Sequence, residues 1–240
     1  MPEVEVATRE ALAERFAGLF ESSARSAVAA RGRFACALPG GSVAEAFFPR
    51  LVRAGVDWTR LHVFFGDERA VPPEHPDSNV GLARRLWLDR VPVPRAQVHL
   101  LYRPGETLEA AATRAEQELV AALGAPPRLD LVLLGMGPDG HVCSLFPGHA
   151  TLRAPGLVLA VRDSPKPPPE RVTLGLATLA RATEICVAAF GAEKAAALRE
   201  ALEAPDSALP VALALRSGPR ARVLLDPAAA GRLASQRRSA

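Results

Sequence analysis

The feature that most limits how this chain can fold is a repeated alternation. Short, uninterrupted apolar runs, most of them closed by glycine or a polar cluster, are followed by stretches with helical spacing. FACAL (34–38), LHVFF (61–65), LDLVLLG (129–135), LVLAV (157–161), ICVAAF (185–190) and ARVLLD (221–226) predict strands, and QVHLL (97–101) is a further candidate. Residues 7–31 predict a helix with Ala11, Phe16, Leu19 and Phe20 on its inner face. Residues 43–55 predict a second helix, interrupted near Pro49. Ser78 or Asn79 caps a third that runs through Ala83, Leu86 and Leu88, and residues 107–123 and 192–203 predict two more. Continuous apolar strands alternating with helices belong to a parallel sheet covered on both faces, so the class is α/β, with one domain expected over residues 1–240.

In such sheets ligands bind outside the carboxyl ends of the strands. Those ends carry the unusual residues here: LPGGS, FGDER, GMGPDGH and FGAEK. In LPGGS (38–42), Gly40 and Gly41 allow a tight turn into a helix whose free N–H groups suit an anion. Ser42 is placed to cap that helix and to donate to a phosphate. In FGDER the charged triplet Asp67, Glu68, Arg69 directly follows an apolar strand, which puts it in the crevice rather than on a solvated corner.

The segment LLGMGPDGHVCSLFPG (133–148) holds a formal G-x-G-x-x-G at Gly135, Gly137 and Gly140, with Asp163 available as a ribose acid. Pro138 and Asp139 inside the turn, and Pro147-Gly148 soon after, argue against a dinucleotide site. Read as a catalytic loop, the same segment offers His141 as a general base, because an imidazole titrates near neutrality, and Asp139 to orient it. Asp139, His141, Cys143 and His149 lie close in sequence but match no zinc spacing, and no G-x-S-x-G elbow is present. No metal and no cofactor are expected.

Composition narrows the partners. Hydrophobic residues make up 49% and no run approaches the length of a membrane span. The opening MPEVEVATREALAERF lacks a signal peptide's basic segment and apolar core, so a cytoplasmic protein is expected. Net charge is only +3, with a small basic cluster in the RRSA tail, too thin for a nucleic-acid surface. Three scattered cysteines, Cys36, Cys143 and Cys186, read as reduced thiols. Of 29 basic residues only Lys166 and Lys194 are lysines, which points to places where a compact ammonium is wanted. Lys194 opening a helix opposes the macrodipole, a cost that a bound anion would reverse.

Taken together, LPGGS, FGDER, DSN, LDLVLLGMGPDGHVCSLFPG, KPPPERVTL and FGAEK, spanning roughly residues 38–195, resemble the glucosamine-6-phosphate isomerase/6-phosphogluconolactonase family. The resemblance implies a Rossmann-like fold of the sugar-phosphate isomerase type. It implies hydrolysis of 6-phospho-D-glucono-1,5-lactone to 6-phosphogluconate, a step of the oxidative pentose phosphate pathway. Carried over, Gly40, Gly41 and Ser42 with Arg171 and Lys194 hold the phosphate; Asp67, Arg69 and Asn79 line the sugar site; His141 activates water beside Asp139. Either Arg69 or a backbone N–H of the 137–141 loop stabilises the oxyanion. The deaminating relatives carry a carboxylate a few places after DGH, where this chain has Phe146, which favours the lactonase branch. The rivals are a deaminase/isomerase and a sugar-phosphate-binding domain without turnover, and a monomer or small homo-oligomer is expected.

Overall fold

The computed structural model describes residues 2–234; the RRSA cluster lies outside them. The chain runs β1 (Glu3–Val6), α1 (Arg9–Arg31), β2 (Phe34–Leu38), α2 (Gly41–Leu51), β3 (Leu61–Phe65), β4 (Asp67–Arg69), α3 (Asn79–Leu86), α4 (Leu108–Leu123) and β5 (Leu131–Gly135). It continues with β6 (Val158–Val161), β7 (Arg171–Leu174), α5 (Leu176–Leu179), β8 (Glu184–Ala189), α6 (Ala195–Glu203), α7 (Pro210–Ser217), β9 (Ala221–Leu225) and α8 (Pro227–Ala230).

Six strands form one parallel sheet in the order β1-β9-β8-β5-β2-β3. The apolar strands predicted this: β2 and β8 are buried at every residue and β5 at all but its last, as strands covered on both faces must be. From β2 the chain first goes outward to β3 and then returns to place β5 on the other side of β2. That reversal is the topological switch point, where a crevice opens above the strand ends. The loops leaving β2 and β5 there are residues 39–40 and the glycine-rich turn around Gly137.

The helices largely follow the sequence signals. Thr8 Oγ1 accepts from Ala11 N at the start of α1, and Gly32 ends that helix in the left-handed region at φ 72°. Ser78, not Asn79, caps α3, its Oγ accepting from Gly81 N at 3.0 Å. The buried stripe of α1 includes Phe16 and Phe20 with Leu12 and Ala13, while Ala11 faces solvent, so that inner-face assignment is corrected. Phe16 stacks on Phe47 of α2 at 5.2 Å, and both are fully buried. Pro49 does not interrupt α2, which continues through Leu51; the proline removes only its own N–H bond to the carbonyl of residue 45.

Two expectations need correction. QVHLL is no strand: Val98 makes one isolated bridge to Val63, and the carbonyls of Leu100 and Leu101 accept from Arg114 rather than from a ladder. LVLAV does form a strand, but β6 belongs to a separate antiparallel sheet, β4-β7-β6. The DER triplet does border the cleft through Asp67 and Arg69, and it does so as a strand of that small sheet, a pairing the sequence did not signal. In addition β1, whose EVEV alternation signals only a half-exposed edge, was not foreseen.

At the β3 edge, His62 Nδ1 and His99 Nε2 lie 3.1 Å apart in stacked rings, with Phe64 stacked on His99 at 4.2 Å. Burial lowers both imidazoles, His99 to about 4. A depressed imidazole stabilises the fold fully above its unfolded pKa and progressively less as pH falls. Thermal stability is therefore expected to fall between about pH 6.5 and pH 4. His99→Phe, which keeps the stack, should flatten that fall; an unchanged melting-temperature profile would show that the pair contributes nothing.

Candidate active site

The turn after β2 is built around two glycines. A Cβ on Gly40 would sit 1.8 Å from Asn79 Oδ1, so only glycine lets the α3 carboxamide pack there. Gly41 holds φ +64°, a left-handed conformation that disfavours any side chain. Gly40 is the N-cap of α2 and provides no side-chain acceptor, which leaves the first N–H groups of the helix without a side-chain cap. Ser42 lies inside the first turn, so its expected capping role is corrected; it lines the cleft instead.

Beyond β5, the loop closes on itself: Gly137 N donates to His141 O at 2.9 Å and Gly140 N to Gly137 O at 3.0 Å. The His141 ring lies against Gly137, where a Cβ would fall 2.1 Å from Nδ1. His141 Nδ1 is 2.6 Å from Asp139 Oδ1. Asp139 is held below the usual carboxylate range: burial opposes this, but the His141 hydrogen bond and the Lys166 charge outweigh it. An ionised Asp139 only accepts, so Nδ1 carries the proton and Nε2 is left as the base. Burial lowers the His141 pKa against the raising effect of Asp139, and Phe146 packs on the ring at 4.7 Å between centroids. The imidazole is thus neutral at pH 7, yet its side chain keeps 15% exposure, enough to meet a ligand.

The small sheet supplies the third wall. Asp67 Oδ2 accepts from Ser144 Oγ at 2.6 Å, and its Oδ1 and carbonyl accept from Asn79 Nδ2 at 3.2 and 2.8 Å. Arg69 and Arg171 are directly opposite each other in the β4–β7 register, a like-charge pairing that costs stability unless an anion lies between or near them. Asp67 offsets part of it, 3.7 Å from Arg171 Nη1. Arg69 gives Nη1 to Asp77 O, while its Nε is buried without a protein acceptor. Arg171 has a task the sequence did not reveal: its Nε and Nη2 donate to the carbonyls of Pro168, Lys166 and Pro167, clamping the proline-rich loop.

That clamp fixes Lys166, whose Nζ stands 3.9 Å from Asp139. Lys194 ends a short 3-10 turn and caps α6 without a side-chain hydrogen bond. Among the described residues its ammonium has no ion pair within 4 Å, and burial lowers its pKa, the sign of a cation lacking its counterion. One cleft of about 340 Å³ is lined by Gly40, Gly41, Ser42, Asp67, Arg69, Asn79, His141, Arg171 and Lys194; Asp139 stands behind the His141 ring. The structure therefore brings all ten sequence-nominated residues to one place.

Sequence reasoning missed three supporting residues. Lys166 was noticed only for its rarity. Ser144 bridges Asp67 and Arg171. Glu68, 2% exposed, accepts from the backbone N–H groups of Arg69, Asn79 and Val80 and from Ser78 Oγ, and so ties the start of α3 to β4. An acid between two nominated residues of GDER was the available signal. The described residues contain no group of three or more His, Cys, Asp or Glu placed to hold a metal ion, and no helix long and apolar enough to cross a membrane.

The profile describing glucosamine-6-phosphate isomerases/6-phosphogluconolactonase matches residues 7–223. The chain belongs to this family. Within the family it is similar to the 6-phosphogluconolactonase of Mycobacterium leprae, 42% identical over 203 residues that cover 80% of this chain and 82% of the relative. It is 37% identical to the 6-phosphogluconolactonase of Streptomyces coelicolor over 239 residues, covering 94% and 92%. Among solved members, the crystal structure of 6-phosphogluconolactonase from Thermotoga maritima superposes with a TM-score of 0.84 at 26% identity, covering 94% of this chain and 99% of that one.

Proposed function

We propose that the chain hydrolyses 6-phospho-D-glucono-1,5-lactone to 6-phosphogluconate in the oxidative pentose phosphate pathway, using His141 as general base. The observation that carries the chemistry is a neutral, Asp139-oriented imidazole in the same cleft as the uncapped start of α2 and an unpaired lysine. The phosphate docks on the N–H groups at Gly41 and Ser42 and on Lys194, with Arg171 behind it. This sets the lactone carbonyl near His141, between Asp67, Arg69 and Asn79.

His141 Nε2 takes a proton as the water oxygen bonds to C1, and the carbonyl π electrons move onto oxygen. Two N–H groups of the catalytic loop are already used within it, so the guanidinium of Arg69, which lines the cleft, is the better oxyanion donor. The tetrahedral intermediate then collapses: the C1–ring oxygen bond breaks and the imidazolium returns its proton to the departing oxygen. No electron is lost or gained, so the reaction asks for no redox cofactor. Phe146, 2% exposed, covers the His141 ring where a deaminase would need a carboxylate for proton shuttling at C1 and C2. The same reading takes the chain as one α/β domain acting in the cytoplasm on a small molecule, as a monomer or small homo-oligomer, without nucleic-acid or membrane partners.

The test is proton release in a pH-stat from freshly made lactone, corrected for its spontaneous opening, alongside ammonia release from glucosamine 6-phosphate. Acid release well above the blank without ammonia is expected; ammonia, or binding without turnover, would overturn the reading. The pH profile follows from the His141 shift. Because its pKa in the free enzyme lies below the ordinary 6.5, kcat/KM should rise through an apparent pKa below that value and be level at neutrality. A rising limb centred above pH 7 would contradict a depressed base.

A further inference from the structure

Strand β9 is followed directly by Asp226, a carboxylate only 7% exposed that the chemistry above leaves unused. Its Oδ1 accepts from Gly191 N at 3.0 Å and from Ala229 N at 2.8 Å. Its Oδ2 accepts from Gly191 N at 3.1 Å and from Arg9 Nε and Nη2 at 3.3 and 3.2 Å. Gly191 opens the turn that ends at Lys194, closed by Lys194 N donating to Gly191 O. The same Arg9 guanidinium lies over the ring of Phe190, 5.0 Å from its centroid, and Phe190 is itself buried. Residues 190 and 191 are thus held from two sides, by a cation on the ring and a carboxylate on the amide.

We propose that Asp226, steadied by Arg9, is a positioning residue that fixes the 191–194 turn so that Lys194 reaches the anion end of the cleft. This rests on the reading that Lys194 holds the substrate phosphate. Electrostatics and geometry predict opposite signs here. A negative charge near Lys194 opposes an incoming phosphate, so a purely Coulombic role would make its removal tighten binding. A positioning role makes removal loosen binding, because an anion contact depends steeply on placement.

The experiment is a double-mutant cycle on the intact chain. It measures KM and kcat for the lactone and the Kd of 6-phosphogluconate by calorimetry, for Asp226→Asn, Lys194→Ala and the pair. Asn has one acceptor oxygen where the carboxylate has two, so it cannot serve Ala229 N and the Arg9 guanidinium together, and its NH2 group in place of Oδ2 repels Arg9. Asp226→Asn is expected to raise KM and Kd about 10-fold with kcat within about 3-fold, and to add nothing in the Lys194→Ala background. A KM that is unchanged or lowered, or effects that multiply in the double variant, would overturn the inference. Because Asp226 also caps α8, Asp226→Asn could lose the fold; Arg9→Gln then decides, with a smaller rise in KM that again vanishes when Lys194 is gone. If Lys194→Ala itself leaves KM unchanged, the phosphate role falls and this inference with it. If Lys194→Ala raises KM and the Asp226 and Arg9 variants do not, only the inference falls.

Discussion

Replacing His141 by alanine is expected to lower kcat for lactone hydrolysis by about 10²- to 10⁴-fold, the usual contribution of a positioned general base. Binding of 6-phosphogluconate should change little, since the phosphate end of the cleft is formed by other elements. The size of the effect follows from geometry. Among the described residues His141 is the one imidazole lining the cleft, and its tautomer is set by an ionised Asp139 at 2.6 Å. Steady-state rates in a pH-stat and product titration by calorimetry separate the two quantities. Near wild-type turnover in the variant would remove His141 from the chemistry, whereas loss of product binding would recast it as a binding residue.

Lys194→Ala is expected to act on the other constant. A charge-assisted hydrogen bond contributes about 1.5–3 kcal/mol, and each 1.4 kcal/mol is tenfold, so KM should rise about 10- to 100-fold. If the phosphate is gripped equally in the ground and transition states, kcat stays nearly constant. The half-buried ammonium has no ion pair within 4 Å among the described residues, so its loss leaves no protein carboxylate stranded. Initial rates over a range of lactone concentrations give the split. A fall in kcat with KM unchanged would place Lys194 at the reacting carbon instead.

The strands of the main sheet were legible because burial on both faces demands uninterrupted apolar runs, and FACAL, LVLLG and EICVAA have no other stable use. Most of the site was legible because its residues sit where those runs stop, while Asn79 at the start of α3 and Arg171 at the start of β7 came from the family resemblance alone. What could not be read was the small sheet. Asp67–Arg69 and Arg171–Leu174 are too short and too polar to signal pairing by themselves, and their ladder depends on partners about 100 residues apart. The resemblance assigns Arg171 to the phosphate, but its clamp on the proline-rich loop is invisible in sequence because its acceptors are backbone carbonyls, which no side-chain pattern reveals. QVHLL misled for the converse reason. Its apolar run suited a strand, but Arg114 from α4 takes the carbonyls a ladder would need. Asp226 went unmarked, and Glu68, placed in the crevice with its neighbours, showed no role, because a carboxylate serving backbone amides looks, in sequence, like any other acid.

The arrangement of the cleft itself is open to direct observation in a crystal structure of the chain with 6-phosphogluconate. The phosphate oxygens should accept from the N–H groups at Gly41 and Ser42 and from Lys194 Nζ, with the new carboxylate about 2.6–3.2 Å from His141 Nε2 or one water away. A product bound the other way round, with its phosphate against His141 and its carboxylate on the glycine turn, would contradict the account.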